Sequence, residues 1–300
     1  YIIFTSGSTG VPKGVAIAHR GASNTCKDIN ERYAVGADDT VLSLASLAFD
    51  LSVYDLFGVL AAGGHLAMPD PTLAKDPEHW LELLERQKVT VWNTAPPVMS
   101  MLLEWVQADP KAAARFSRLP LRVVMLSGDF CALWVPRLLH RLLPAENHPA
   151  VYSLGGATEA SIWSCFYPVT TVPETWRSIP YGGPLANQTL YVLDSHLAIA
   201  PPLVPAQIVI GGVGLAEEYW RDEVKTSKSF VKAELHGRVE RVYLTGDLGR
   251  YVRDELTGGS TIEMLGRLDF QVKIHGNRVE IGEVEAAMRT CKSAGAAVVL

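Results

Sequence analysis

Apolar positions in the first half of the chain follow two alternating patterns. Short apolar runs at 1–5, 40–47, 65–68, 89–93, 122–127 and 150–153 have the length and composition of buried strands. Between them, residues 19–32, 54–62, 78–87, 97–108 and 134–143 carry apolar side chains at intervals of three and four, the spacing of one helix face. Strands alternating with helices predict a mainly parallel sheet with helices packed on its faces. From about Pro168 the texture changes. Short alternating runs at 189–193, 207–211, 242–245 and 260–264, separated by Pro and Gly, predict a smaller and mostly antiparallel region. After Gly266 a charged stretch leads into a helix expected near 282–289, where Glu283 and Glu285 favour the first turn. Tyr1 to Phe4 read as a buried strand entering a glycine-rich turn, and 296–300 as another buried strand. Both ends break into strand patterns, so the chain is expected to be a segment of something longer.

Composition narrows the classes. Three hundred residues at 48% hydrophobic and 20% charged supply the core of one large domain, or two unequal ones, and exclude disorder. Twenty-seven basic residues, scattered along the chain, against 32 acidic ones give a net charge of −5, so no nucleic-acid partner is expected. No apolar run reaches the roughly 18 residues a membrane helix needs, and no membrane partner is expected. Cys26, Cys131, Cys165 and Cys291 stand far apart without a CxxC pair, which argues against a zinc knuckle or a disulfide framework and fits a reducing cytosol. A cytoplasmic location is expected. The eight histidines include no HExxH helix, which argues against a metal hydrolase.

The richest chemistry follows the first strand. Thr5, Ser6, Ser8 and Thr9 are interleaved with Gly7 and Gly10, and Lys13 and Gly14 follow. Flexible backbone with many N–H donors and a nearby ammonium suits a polyphosphate. The order differs from the P-loop of nucleotide triphosphatases, because Lys13 is preceded by Pro12 and followed by Gly14. A solvated surface loop has the same composition.

This stretch resembles the phosphate-binding loop of the adenylate-forming enzymes, the superfamily of acyl-CoA synthetases, firefly luciferase and the adenylation domains of nonribosomal peptide synthetases. Three more segments resemble the family's motifs in the same order. Gly155 to Glu159 is similar to its YGPTE-like motif, Tyr243 to Asp247 to its YxTGD motif, and Gly266 to Ile274 to its GRxDxQVK motif. The resemblance spans nearly the whole chain. It implies an α/β adenylate-forming fold, with mainly parallel sheets and flanking helices, a small antiparallel β region and the start of a C-terminal α+β subdomain. Residues 1–268 would be the large subdomain, and 269–300 the hinge and the beginning of the small one.

The resemblance also implies roles. Thr5, Ser6, Gly7, Ser8, Thr9, Gly10 and Lys13 would hold the phosphates of ATP, with Thr5, Lys13 and Glu159 acting in catalysis and Lys13 countering the departing pyrophosphate. Gly155, Gly156, Ala157 and Thr158 would border the nucleotide, and Glu159 would bind Mg²⁺. Asp247 would accept from the ribose hydroxyls, Arg267 would lie near the ribose or phosphates, and Asp269 would be the hinge. On residue types alone, Thr245 to Asp247 also suit a turn, and Arg267 with Asp269 also suits a surface ion pair. One position departs from the family: Gly155 stands where a Tyr ring stacks on adenine. Backbone of Gly155 and Gly156, or a ring from elsewhere, would have to replace it.

For the acyl substrate, Phe49 to Tyr54 resembles the FDxS segment of amino-acid-activating domains, in which the aspartate, here Asp50, pairs with the substrate ammonium. In a helix starting there, Asp50, Leu51 and Tyr54 fall on one side; a plain helix N-cap is the alternative for Asp50. The family's pocket positions carry over to Asp50, Leu51, Tyr54, Asn93, Met125, Ser127, Leu154, Ile162 and Trp163, the tenth lying beyond residue 300. That set resembles cysteine-activating domains of siderophore and thiazoline-forming synthetases. It implies cysteine as substrate, with a phosphopantetheine-bearing carrier domain and a condensation or cyclisation domain as partners. An acyl- or aryl-CoA ligase, or a catalytically incomplete interaction remnant, are the alternatives. The family's C-terminal catalytic lysine has no counterpart in these 300 residues, so the isolated chain is expected to be poorly active.

Overall fold

The computed structural model describes residues 1–6 and 12–268, the backbone of 271–274 and 277–280, and residues 284 and 288. The expected phosphate-loop positions Gly7, Ser8, Thr9 and Gly10, the hinge Asp269, Cys291 and the strand at 296–300 lie outside the described residues. Of the helix expected near 282–289, residues 284 and 288 are described, and both are helical.

The chain opens with β1 (Ile2–Thr5) and β2 (Lys13–Ala16), followed by α1 (His19–Arg32), β3 (Thr40–Leu42), α2 (Leu51–Val53), a π-helical turn (Tyr54–Gly58) and α3 (Val59–Ala61). Then come β4 (His65–Ala67), α4 (Pro77–Arg86), β5 (Val91–Thr94), α5 (Pro96–Ala108), α6 (Pro110–Phe116), β6 (Val123–Ser127), α7 (Trp134–Leu142), β7 (Ala150–Gly155), β8 (Cys165–Pro168) and β9 (Gly183–Pro184). Strands β3 to β9 form one sheet in the order β4-β3-β5-β6-β7-β8-β9, parallel as far as β7 and antiparallel beyond it. Helices start where the sequence caps them. Asp76 accepts from the Glu78 N–H at 3.0 Å ahead of Pro77 in α4, and Asp109 accepts from the Lys111 N–H at 2.9 Å ahead of Pro110 in α6.

The second half supplies β10 (Gln188–Leu193), β11 (Ala206–Gly212), β12 (Glu218–Tyr219), α8 (Glu223–Ser229), β13 (Phe230–Leu235), β14 (Arg238–Arg253) and β15 (Ser260–Arg267). Strands β10-β11-β14-β13 make an antiparallel sheet, with β15 also paired to β14. The runs at 242–245 and 260–264 are thus parts of longer strands. Backbone strands β16 (Gln271–Ile274) and β17 (Asn277–Glu280) pair as an antiparallel hairpin.

One expectation fails here. The opening strand is not the first member of the parallel sheet; β1 pairs antiparallel with β2, and β12 pairs with β2 to complete a small separate sheet. Nor is it buried on both faces. Ile3 points into the core while Ile2 and Phe4 are exposed, the alternation of a one-sided strand.

Side chains on the two faces of the large sheet pack separately. Leu42, Trp92, Val124 and Leu126 meet α4, α5, α6 and α7 in one cluster. Val41, Val91, Val123, Met125 and Leu154 meet α1, Tyr54 and Trp163 in the other, which also takes in Val15 of β2, Ile210 of β11 and Tyr243 of β14. That second cluster joins the seven-, five- and three-stranded sheets, and the candidate site lies at its edge.

Candidate functional site

Beyond the carboxyl ends of β6 and β7, the usual place for a ligand in a parallel sheet, lies a cleft of about 280 Å³. Its walls bring together twelve expected residues: Thr5, Ser6, Asp50, Leu51, Ser127, Gly156, Ala157, Thr158, Ile162, Trp163, Asp247 and Arg267. Residues from six separate stretches of the chain therefore share one space.

On one side the charges are paired. The Lys13 ammonium donates to Glu159 Oε1 at 2.9 Å and to the Tyr219 hydroxyl at 3.0 Å, and the Tyr219 hydroxyl donates to the same Glu159 oxygen at 2.7 Å. Glu159 is fully buried and the Lys13 side chain nearly so. The ammonium also lies 4.4 Å from the centre of the Tyr219 ring, a cation–π contact. Burial, followed by the Glu159 charge, holds the Tyr219 phenol far above its ordinary range, so it stays a donor. Lys13 and Glu159 do not line the cleft themselves. They sit against it, because Thr158 and Thr5 are their chain or ladder neighbours.

Asp247 and Arg267 face each other across the β14–β15 ladder, with Arg267 Nη1 donating to Asp247 Oδ1 at 2.6 Å and Nη2 to the Thr245 carbonyl at 3.2 Å. Arg267 thus pairs with Asp247, while its expected partner Asp269 lies outside the described residues. Thr245 to Asp247 do not make a turn either. They lie inside β14, where its register with β11 slips: Leu244 faces Val209 and Leu248 faces Gln207. Gly246 adopts φ +77°, and the Thr245 hydroxyl donates to the Ile208 carbonyl at 2.6 Å. Such an irregularity re-aims a side chain out of the ladder; here Asp247 reaches the cleft.

The other side is lined by Asp50, Leu51, Ser127, Ile162 and Trp163. Asp50 occupies the residue before α2, yet its side chain makes no capping hydrogen bond, so the N-cap alternative fails. Burial pushes its carboxyl up to about 6, while a hydrogen bond involving Thr158 pulls it down and the Glu159 charge raises it further. Ser161 and Ile162 both take left-handed backbone, φ +60° and +72°. For a β-branched residue this is strained by roughly 1–3 kcal/mol. The Ser161 hydroxyl donating to the Gly214 carbonyl at 2.6 Å, and the Thr25 hydroxyl donating to the Ser161 carbonyl at 3.0 Å, hold it there.

Four expected pocket positions do not reach the cleft. Tyr54, Asn93, Met125 and Leu154 are buried behind its lining. Tyr54 closes the helical stretch that follows Asp50 and opens the π-helical turn; its hydroxyl donates to Asn30 Oδ1 at 3.0 Å, and its ring lies 5.1 Å from that of Trp163. Gly155 also stands off the cleft. A β-carbon there would lie 2.7 Å from Tyr181 Cζ and 2.6 Å from Cys165 Sγ, so the Tyr181 ring already occupies the space a side chain at 155 would use.

Sequence reasoning missed Tyr181, Tyr219 and Asp55. Nothing local marks the two tyrosines, although the missing ring at Gly155 called for one from another segment. Asp55 did carry a signal, being an acid inside an apolar helical run.

A magnesium ion suits this donor set. It prefers carboxylate and phosphate oxygens and keeps several waters, so one buried carboxylate beside a phosphate loop is enough. Among the described residues no group of three or more His, Cys, Asp or Glu forms a closed metal cage. No helix among them is long and apolar enough to cross a membrane.

Residues 1–220 match the family model described as AMP-binding enzyme. The chain belongs to the AMP-binding enzyme family. It is 47% identical over 289 residues to pyochelin synthetase PchF of Pseudomonas aeruginosa, covering 96% of this chain and 15% of that protein. Its fold is similar to that of the nonribosomal peptide synthetase FmoA3 in an AMPPNP-bound form, with a TM-score of 0.78 and 39% identity over 90% of this chain and 27% of that one. It is also similar to PA1221, a nonribosomal peptide synthetase protein containing adenylation and PCP domains, with a TM-score of 0.82 and 29% identity over 96% of this chain and 47% of that one. The fold of this AMP-binding chain is the expected α/β adenylate-forming type. It spans less than two-thirds of each of these relatives.

Proposed function

We propose that the chain is the larger part of an adenylation domain of a nonribosomal peptide synthetase, which activates cysteine with ATP. The substrate carboxylate attacks the α-phosphorus, the bond to the leaving pyrophosphate breaks, and cysteinyl-AMP forms. The thiol of a carrier domain's phosphopantetheine then displaces AMP. Residues from 269 onward would begin the smaller subdomain, turning at Asp269. The observation that carries this reading is the single cleft in which the acid Asp50 and the Asp247–Arg267 pair face the same space as Thr5, Ser6 and Thr158.

Two anions must meet in the first step, so catalysis rests on positioning and charge neutralisation. Thr5, Ser6 and the loop to Lys13 take the phosphates, and Lys13 turns its ammonium toward the leaving pyrophosphate. Glu159 would hold Mg²⁺, which supplies further neutralisation of the phosphate oxygens. Asp247 accepts from the ribose hydroxyls while Arg267 fixes its orientation. Tyr181, packed over Gly155, supplies the aromatic face for adenine. Asp50 meets the substrate ammonium, a charge that would cost several kcal/mol to bury alone. A fatty or aryl acid has no such charge, which favours an amino acid over the substrate of a CoA ligase. Trp163, backed by Tyr54, Met125 and Leu154, leaves room for a small soft side chain. The carrier domain is supported by the adenylation and PCP domains of PA1221, and a siderophore context by pyochelin synthetase PchF.

Amino-acid-dependent exchange of pyrophosphate into ATP tests this reading. In the polypeptide that contains this chain, cysteine should drive exchange and uncharged acids of similar size should not. The isolated 300 residues should exchange poorly. Exchange driven equally by an uncharged acid would end the amino-acid reading.

A further inference from the structure

Behind the cleft, β5 and the π-helical turn bring together a buried acid and a buried amide. Asp55 and Asn93 are both inaccessible to solvent, and Asn93 Nδ2 donates to Asp55 Oδ1 at 2.8 Å. Asn93 pairs across the parallel ladder with Met125, two residues before Ser127 of the cleft wall. Side chains two apart on a strand share a face, so Asn93, Met125 and Ser127 all face the cluster containing Trp163.

The polar groups on this face are unfinished. Asn93 Oδ1, Ser127 Oγ and Trp163 Nε1 are buried with no hydrogen-bond partner, while the Asp55 carboxyl also meets the Ser43 side chain. Native interiors leave few such atoms unpaired, and each one needs a reason. A bound substrate is one reason, since Ser127 and Trp163 line the cleft itself. The orientation of the Asn93 amide follows from its neighbour. An ionised carboxylate only accepts, and a carboxyl protonated on Oδ2 still accepts on Oδ1, so either form turns the amide NH₂ toward Asp55. The amide oxygen is then the group left for another donor.

We propose that Asp55 is a positioning residue for the substrate side chain: by holding Asn93 Nδ2 it leaves Asn93 Oδ1 as an acceptor just behind the Ser127 and Trp163 lining, so that a side chain entering between those two residues is favoured as a thiol or hydroxyl over a methyl. The inference rests on the adenylation reading. Burial pushes the Asp55 carboxyl up to about 7. A folded value above the unfolded one means stability present at acid pH is lost as pH rises from about 4 to about 7. The Asp55 carboxylate is therefore held at a cost to the fold that grows through this window.

The test compares cysteine with 2-aminobutyrate, in which a methyl replaces the thiol, in the exchange reaction of the polypeptide containing this chain. Wild type should prefer cysteine. Asp55→Leu and Asp55→Ala should lower that preference about tenfold, through KM for the amino acid, with KM for ATP unchanged. Asp55→Asn, whose amide oxygen still accepts from Asn93 Nδ2, should retain most of it. A folded Asp55→Leu or Asp55→Ala with wild-type preference would overturn the inference alone. Loss of folded structure in both would make the residue structural and also overturn it. Absence of cysteine-dependent exchange in wild type would overturn the adenylation reading, and the inference with it.

Discussion

The two walls of the cleft are finished to different degrees. On the wall proposed for the nucleotide the charged groups are paired, Lys13 with Glu159 and Tyr219 and Asp247 with Arg267, at 2.6–3.0 Å, although Thr5 Oγ1 is buried without a partner. On the wall proposed for the amino acid, and just behind it, Ser127, Trp163 and Asn93 each keep a buried polar atom without a partner. A nucleotide arriving there would draw the Lys13 ammonium from Glu159, trading one neutralised arrangement for another, while the Asp247–Arg267 pair stays. An arriving amino acid completes groups that are already desolvated. Specificity is therefore expected from the unfinished wall, where a wrong ligand leaves a polar atom unpaired, and nucleotide turnover from the paired one.

Substitutions can break this contrast. The largest effect is expected for Asp50→Ala, which removes the acid facing the ammonium. Amino-acid-dependent exchange should fall by at least about 100-fold, while ATP binding followed by calorimetry stays near wild type. Unchanged turnover would take Asp50 out of that role. A smaller effect belongs to the nucleotide wall. Tyr181→Ala should raise KM for ATP about tenfold, the scale of one base stacked on an aromatic ring, and Tyr181→Phe should keep most of the affinity. Equal KM values in both variants and wild type would show that the ring does not meet the base. The smallest effect is set by pH. Asp50 titrates near 6 and must be ionised to pair with an ammonium, so KM for the amino acid should rise as pH falls, by about fourfold at pH 5.5. A flat KM between pH 5.5 and 8 would contradict this.

Much of the large sheet was legible, because β5, β6, β7, α1, α5 and α7 each carry a full period of apolar positions and sit within a few residues of their expected bounds. Strand β2 was not. Its four residues directly follow a glycine-rich loop and are too few to show alternation, so the antiparallel partner of β1 left no trace. In the site, Thr5, Ser6, Gly156, Ala157, Thr158, Asp247 and Arg267 converged as expected, Asp247 from inside β14 and the others at or just past strand ends, while Gly155 stands off the cleft. Tyr54 fell behind the lining because its hydroxyl reaches Asn30 of α1, a contact that no local pattern announces. Tyr181 and Tyr219 belong to other elements, and their roles appear only when β-ladder pairing brings those elements to Gly155 and Lys13.

The left-handed pair Ser161–Ile162 has an effect on how this pocket can change. Because the bend is clamped by Thr25 from α1 and by Gly214 ahead of β12, the direction in which residue 163 enters the cleft is dictated by main chain rather than by its own side chain. Replacing the indole at that place with a smaller group should enlarge the chamber without collapsing its rim, leaving the activation chemistry in place for a bulkier amino acid.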